Sequence, residues 1–254
     1  MSDESYQLFT ATRYDTKLLD IEWNTRVNDG PTPIMLLKYH RDRLIYASTK
    51  HGWTDCIPSI TTESITSVVE DATQNASTPD FNGPFKVRIV LDRDAKLSAT
   101  ATPTIPYNGP DPLTPSEKPE HIRTIYVDPQ PTPSSIFTLT KTTRRAHYTA
   151  ARSRVQLGPM PTPTDSNLDV VLYTPDGLLT ETSLRNIAFW RDDKWVTPKP
   201  ATSGCLPGTT TRYLLETGKF VEGDVKVDEL EDGDLVMTSN SAEGCVLGRI
   251  ALKV

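Results

Sequence analysis

Lys141 closes the segment SIFTLTK, in which Phe137, Leu139 and Lys141 fall on one face of a strand and Thr138 and Thr140 on the other. An ammonium on an apolar face loses hydration, which lowers its pKa and favours the neutral amine. Such a lysine can add to a carbonyl group to form an imine; turned into solvent at the strand end, it would be inert. Glu181, in LLTETS, shares a face with Leu179 and Ser183. A carboxylate half-buried there calls for a cation, and a protonated ring nitrogen is one. In CLPGTTTRYLL a Pro-Gly turn and three threonines open a helix whose free N–H groups and dipole favour an anion. The same threonines equally suit ordinary N-capping. Arg43, in YHRDRLIYAS, carries the planar fork that grips a phosphate, although a solvated basic face paired with Asp42 is the simpler reading when it stands alone.

These side chains need elements to hold them. YQLFTATRYD alternates as a strand, and the run from Met35 to Ser48 reads as a strand passing into a helix, with Leu37, His40 or Arg41, and Leu44 at helical spacing. PFKVRIVLDRDAKLSATA predicts strand, turn and strand, and HIRTIYVD a further strand. Beyond Lys141 the pattern turns helical through Ala146, Ala150 and Ala151. Hairpin turns at Asp176-Gly177 and in RDDK join LDVVLYT, LLTETS, NIAFW and KWVTP. A helix from about Thr209 to Thr217 stops at Gly218, and DLVMTSN and CVLGRIALKV are strand-like. The class is α/β with more strand than helix. The Pro-rich stretch from Thr102 to Pro119 divides it into an N-terminal α/β domain over 1–105, a linker over 106–120 and a C-terminal domain over 121–254. A second such stretch, Gly158 to Ser166, reads as a surface loop.

The bulk properties exclude several classes of function. A chain of 254 residues with 36% apolar and 24% charged residues is long enough for a buried core. A net charge of −6 argues against a nucleic-acid surface. Cys56, Cys205 and Cys245 are odd in number and far apart, and His40, His51, His121 and His147 form no ligand-spaced set, so neither a structural zinc nor a disulfide framework is expected. The opening MSDESYQLFT has no basic start or apolar run, and no stretch approaches a membrane span. A cytoplasmic protein is expected.

In sequence order the four signals resemble one family. His40-Arg41-Asp42-Arg43-Leu44, then Lys141, then Glu181 followed by Asn186-Ile187-Ala188-Phe189, then Leu206-Pro207-Gly208-Thr209-Thr210 are similar to the pattern of the class IV aminotransferases, also called fold-type IV, over nearly the whole chain. The resemblance implies a homodimer binding pyridoxal phosphate between a small N-terminal α/β domain and a larger C-terminal one. It implies that Lys141 holds the cofactor as a Schiff base and moves the α-proton, and that Glu181 partners the pyridine nitrogen. It also implies that Arg43, Gly208, Thr209, Thr210 and Ser241 of TSNSAEG hold the phosphate, with Asn186 among the cofactor-site residues.

The family contains transaminases for branched-chain amino acids, D-amino acids or (R)-amines, and also aminodeoxychorismate lyase, which makes p-aminobenzoate and pyruvate. FTATRYD, and Arg145 four residues after Lys141, resemble the lyase branch. Glu243 stands where lyase-like sequences often carry arginine, and Thr211 replaces an arginine common three residues after the helix-opening glycine. Aminodeoxychorismate carries two carboxylates, so an added anion and lost cations tilt the expectation toward a transaminase moving an amino group from a primary amine or amino acid to a keto acid. The lyase is the alternative. Arg13, Arg88, Arg145 and Glu243 are the candidates for contact with the substrate. A non-catalytic relative would have no use for both Lys141 and Glu181.

Overall fold

The computed structural model describes residues 5–107 and 111–253. Within the expected linker, Asn108, Gly109 and Pro110 lie outside the described residues. The chain clusters into two compact units, the first running through Tyr107 and also taking Thr140–Arg144, the second comprising the remainder. Residues 140–144 fall in the stretch 121–254 by sequence, yet they join the first unit because their backbone pairs with its first strand. Phe9 N–H donates to Lys141 O at 2.9 Å and Thr143 N–H to Gln7 O at 3.0 Å.

In the first unit, β1 (Leu8–Tyr14), β2 (Phe85–Leu91) and β3 (Leu97–Pro103) form an antiparallel sheet in that order. Strict alternation in β2 buries Phe85, Val87, Ile89 and Leu91 and turns Lys86 and Arg88 outward. The helices are α1 (Glu22–Asn28), α2 (Leu37–Lys50) and α3 (Thr62–Ala76). α3 begins where Thr61 and Ser64 cap one another reciprocally, and it buries Ile65, Val69 and Ala72 along one stripe. The expected strand at Met35 is not formed. Leu36 instead takes a left-handed φ of 55°, held by buried Asn24, whose Oδ1 accepts from Leu36 N–H at 3.0 Å. That turn launches α2 and sets the direction of His40 and Arg43. The sequence reading also passed over α3, whose interior holds several β-branched and hydroxyl residues.

The second unit is built on one mixed sheet of eight strands: β4 (Arg123–Val127), β5 (Leu168–Tyr173), β6 (Leu179–Thr182), β7 (Asn186–Arg191), β8 (Lys194–Pro198), β9 (Phe220–Gly223), β10 (Leu235–Asn240) and β11 (Gly244–Ala251). Their order is β6-β5-β4-β11-β10-β7-β8-β9, with β11–β4, β4–β5 and β8–β9 parallel. The β7–β8 hairpin turns on Asp192 and Asp193, both left-handed as a tight hairpin of matching twist requires. Ile125, Val171, Leu179, Ile187, Phe189, Val236 and Ile250 make the core. The helices are α4 (Ile136–Leu139), α5 (Ala146–Arg154), α6 (Pro200–Ser203) and α7 (Thr209–Glu216). α5 lays Tyr148, Ala151 and Val155 against Val170 and Leu172 of β5. None of the described helices is long and apolar enough to cross a membrane.

The alternating strand expected through Phe137, Leu139 and Lys141 is corrected by α4. Ser135 and Thr138 compete with any ladder: Thr138 Oγ1 donates to Ser135 O at 2.9 Å and accepts from Ser135 N–H at 3.0 Å. The chain is extended only from about Lys141, where Thr142 bridges Leu8.

Candidate active site

Lys141 enters the first unit as an added partner of β1. Its Nζ lies 5.1 Å from the centroid of the Phe9 ring, and the guanidinium carbon of Arg88 lies 4.3 Å from the same centroid. Behind β1, Thr10 Oγ1 is 2.5 Å from His40 Nδ1 and accepts from Arg43 Nη1 at 3.4 Å. His40 is fully buried, and burial holds its imidazole well below its ordinary pKa, with the charges of Arg43 and Lys141 pushing the same way. A neutral histidine thus stands near two cations. The segment before Lys141 is fixed by His51, whose ring nitrogens lie 2.7 Å from Tyr6 Oη and 2.7 Å from Thr140 Oγ1.

Glu181, Asn186, Gly208, Thr209, Thr210 and Ser241 all belong to the second unit. Glu181 is buried on β6. Its Oε1 accepts from Tyr148 Oη at 2.5 Å and, more distantly, from Leu206 N–H at 3.4 Å. The buried thiol of Cys205 is pushed up to about 12 by burial and by Glu181, and is therefore neutral. Ser241 Oγ sits 2.6 Å from Thr209 Oγ1 and 2.9 Å from Thr210 Oγ1, so three buried hydroxyls meet at the start of α7. That helix has Gly208 as N-cap and no side-chain cap, which leaves its first N–H groups to other acceptors. Asn186 Nδ2 donates to Leu206 O at 2.7 Å and fixes the approach to the helix. A Cβ on Gly208 would fall 1.8 Å from Asn186 Oδ1, so position 208 takes only glycine while Asn186 holds its place.

Glu243 lies two residues beyond Ser241, in a loop closed by Asn240 Oδ1, which accepts from the N–H groups of Ala242 and Glu243 at 2.9 and 2.8 Å. Its carboxylate was expected to meet the substrate as an added anion. Instead Arg185 grips it at two points, Nε to Oε2 at 2.6 Å and Nη2 to Oε1 at 2.9 Å, and Arg123 Nη2 adds a contact at 3.2 Å. Arg185 also donates to Asp169 Oδ2 at 2.7 Å. Burial opposes the charge of Arg185, but Glu243 and Asp169 outweigh it and its pKa is raised. Arg123, buried and repelled by Arg185, is pushed down to about 10, although it donates to Thr238 Oγ1 at 3.0 Å as well as to Glu243. The two shifts differ in direction because Glu243 and Asp169 outweigh burial at Arg185, whereas burial and the charge of Arg185 prevail at Arg123.

Of the arginines considered for substrate, Arg13 is buried, with Nε on Asp15 at 3.0 Å and Nη2 on Ile105 O at 2.9 Å, and it acts as a pin within the first unit. Arg88 is exposed on β2. Arg145 donates to Ser183 O at 2.7 Å and lies over the Tyr148 ring at 4.7 Å. Thr211, in place of the commoner arginine, is buried with Oγ1 3.2 Å from Ser239 Oγ. Thr10, Tyr148, Asp169 and Arg185 were missed by the sequence reading. The side-chain partners that give them their places lie 13 to 58 residues away, beyond any local spacing. Chemically, the second unit offers a hydroxyl-lined helix start for an anion and, on β6, an acceptor for a cationic ring N–H.

The sequence pattern described as Amino-transferase class IV matches residues 25–249. Over 140 residues the chain is 38% identical to an aminodeoxychorismate lyase of Saccharomyces cerevisiae, a match spanning 51% of this chain and 37% of the fungal protein. The fold is similar to that of a branched-chain amino acid aminotransferase from Escherichia coli, with a TM-score of 0.64 and 14% identity over 98% of this chain and 77% of that one. It is also similar to a hypothetical aminotransferase from Mycobacterium tuberculosis in its PLP-bound form, with a TM-score of 0.63 and 16% identity over 97% and 80% of the two chains.

Proposed function

Because the chain belongs to the class IV aminotransferase family, whose members use pyridoxal phosphate, we propose that it is an aminodeoxychorismate lyase releasing p-aminobenzoate and pyruvate. The observation that carries this choice over amino transfer is the pairing of Glu243 with Arg185 and Arg123. An uncompensated anion would repel a dicarboxylate by roughly 3 kcal/mol at ~6 Å and an effective dielectric near 20. A carboxylate held by two guanidiniums exerts no such repulsion. The similarity to the fungal lyase supports the same reading, although the matched stretch spans just over a third of that protein. Three unbridged, buried cysteines support a reducing compartment, and the family resemblance a homodimer.

The residues present fit the cofactor. The buried hydroxyls of Thr209, Thr210 and Ser241 and the uncapped N-terminus of α7 suit a phosphate, and Gly208 keeps the approach clear. The family resemblance assigns a phosphate-gripping fork to Arg43 as well. The buried Glu181 carboxylate suits a protonated ring nitrogen. When bound, pyridoxal phosphate supplies an electron sink that acidifies the substrate α-C–H. Lys141 would provide the amine that attaches the group and would take the proton from the substrate α-carbon. The electron pair left there expels the enolpyruvyl oxygen from the adjacent carbon, and the released enol takes up a proton to become pyruvate. Glu181 holds the ring proton in place, and Asn186 keeps the loop at Leu206 in position.

The test is a product analysis of the purified protein with pyridoxal phosphate. One incubation contains aminodeoxychorismate, and a parallel one contains amine donors with pyruvate or another keto acid. Release of p-aminobenzoate and pyruvate, lost in Lys141→Ala, is the expected result. Efficient amino transfer without lyase turnover would overturn the reading in favour of a transaminase.

A further inference from the structure

The Glu181 carboxylate is buried, and burial favours the neutral acid over the anion unless a donor stabilises the charge. A Glu181 that took up the proton would leave a ring nitrogen opposite it unprotonated, and an unprotonated ring is a weaker electron sink. Tyr148 is a short donor to Glu181, with Oη 2.5 Å from Oε1. The tyrosine is itself buried on the inner face of α5, packed with Ala151, Val155, Val170 and Leu172, so its ring cannot swing away without opening that cluster. The Arg145 guanidinium lies over its ring, 4.7 Å from the centroid, at the residue that opens α5. Burial, then Glu181, push the phenol pKa far up, so Tyr148 is a donor at every working pH and never a competing anion.

We infer that Tyr148 is a positioning residue that keeps Glu181 ionised, and thereby keeps the proton on the ring nitrogen of the cofactor. This rests on the assignment of Glu181 made above. The hydrogen bond draws negative charge from the carboxylate, lowers its appetite for the shared proton and fixes its plane. Tyr148 touches neither substrate nor ring in this role; it acts through Glu181 alone.

The experiment loads the full-length protein with pyridoxal phosphate labelled with nitrogen-15 in the ring and reads that nitrogen by NMR. Wild type should give a pyridinium-like shift. Tyr148→Phe, which preserves the packing, should move the shift toward that of neutral pyridine, with about a tenfold loss of turnover. Incorporation of 4-aminophenylalanine at position 148 keeps the shape with a weaker donor and should move the shift part of the way toward neutral pyridine. An unmoved shift, with a Glu181→Gln reference that moves, would overturn the role of Tyr148 even if the phenylalanine variant does not fold. Glu181→Gln is the reference. A reference that moves while Tyr148→Phe stays at the wild-type shift would overturn the role of Tyr148 and leave the assignment of Glu181 standing. A reference that does not move would remove the assignment of Glu181, and the inference with it.

Discussion

Ser241 and Glu243 stand two residues apart in one loop, yet each belongs to a different kind of buried polar cluster. Around Glu243, charges answer charges: Arg185 bridges it to Asp169, Arg123 leans on it, and Asp169 also accepts from Thr182 Oγ1 at 2.9 Å and Ser183 Oγ at 2.5 Å. Around Ser241, three neutral hydroxyls face an uncapped helix start and bring no charge of their own. A hydroxyl offers one donor and two acceptor sites, so two threonine hydroxyls that meet on that of Ser241 leave capacity for a ligand. The contrast separates a cluster that is complete within the chain from one that an anion would complete.

Four measurements would break or sharpen that contrast. The largest effect is expected from Asp169→Asn, which leaves Arg185 and Arg152 buried with a weakened partner. A loss of about 3–5 kcal/mol of stability should appear in a urea titration of the cofactor-free protein. If the midpoint barely moves, the charged cluster is not structural. Ser241→Ala should do the reverse, changing the unfolding free energy by less than ~1 kcal/mol but weakening cofactor binding about 10- to 100-fold. An absorbance titration of the apoprotein reads it, and undiminished affinity would place the phosphate elsewhere.

Acidification probes groups outside both clusters. His40 is held well below its ordinary pKa by burial, and burial with Arg145 pushes His147 down to about 4. The unfolded chain takes up these protons first. The stability that depends on the neutral rings is therefore present above about pH 6.5 and declines as the pH falls toward the folded values. The slope reaches at most about 1.4 kcal/mol per pH unit for each proton. Denaturant midpoints measured from pH 7 to pH 5 should fall, and a flat profile would show that neither ring is held neutral. The smallest effect is expected from Glu243→Gln. Its side chain is a third exposed, so the ion pairs are partly screened and their loss should cost only about 1 kcal/mol. The ratio of lyase to transfer products should not change; a shift toward lyase products would restore Glu243 as a charge felt by the substrate.

Strands that alternate and turn on recognisable residues were legible in the sequence: β2 by its period of two, and the β7–β8 hairpin by its two aspartates. The order of Lys141, Glu181 and the threonines pointed to the family that the matched pattern bears out. The local setting of Lys141 was misread, because a serine-capped turn can interrupt an alternating run without changing its composition. The pairing of Glu243 was not legible for another reason. Arg185 is 58 residues away in the chain, and the compensation exists only once β10 and β11 have closed their loop. Spacing reports which groups share an element; it does not report which groups neutralise one another.

The return of Thr140–Arg144 to the first unit bears on how the protein is made. A chain leaving the ribosome has all three strands of the small sheet once Pro103 has emerged. The edge of β1 still waits for Lys141 and Thr142, some forty residues later. Until then the N–H and C=O groups of residues 7–9 on that side lack their native partners, an edge open to pairing with another chain. A fragment cut near residue 107 would carry that open edge permanently. The two units therefore cannot be separated by cleaving the polypeptide at one point, and the stretch that seals the first is also the one that carries Lys141.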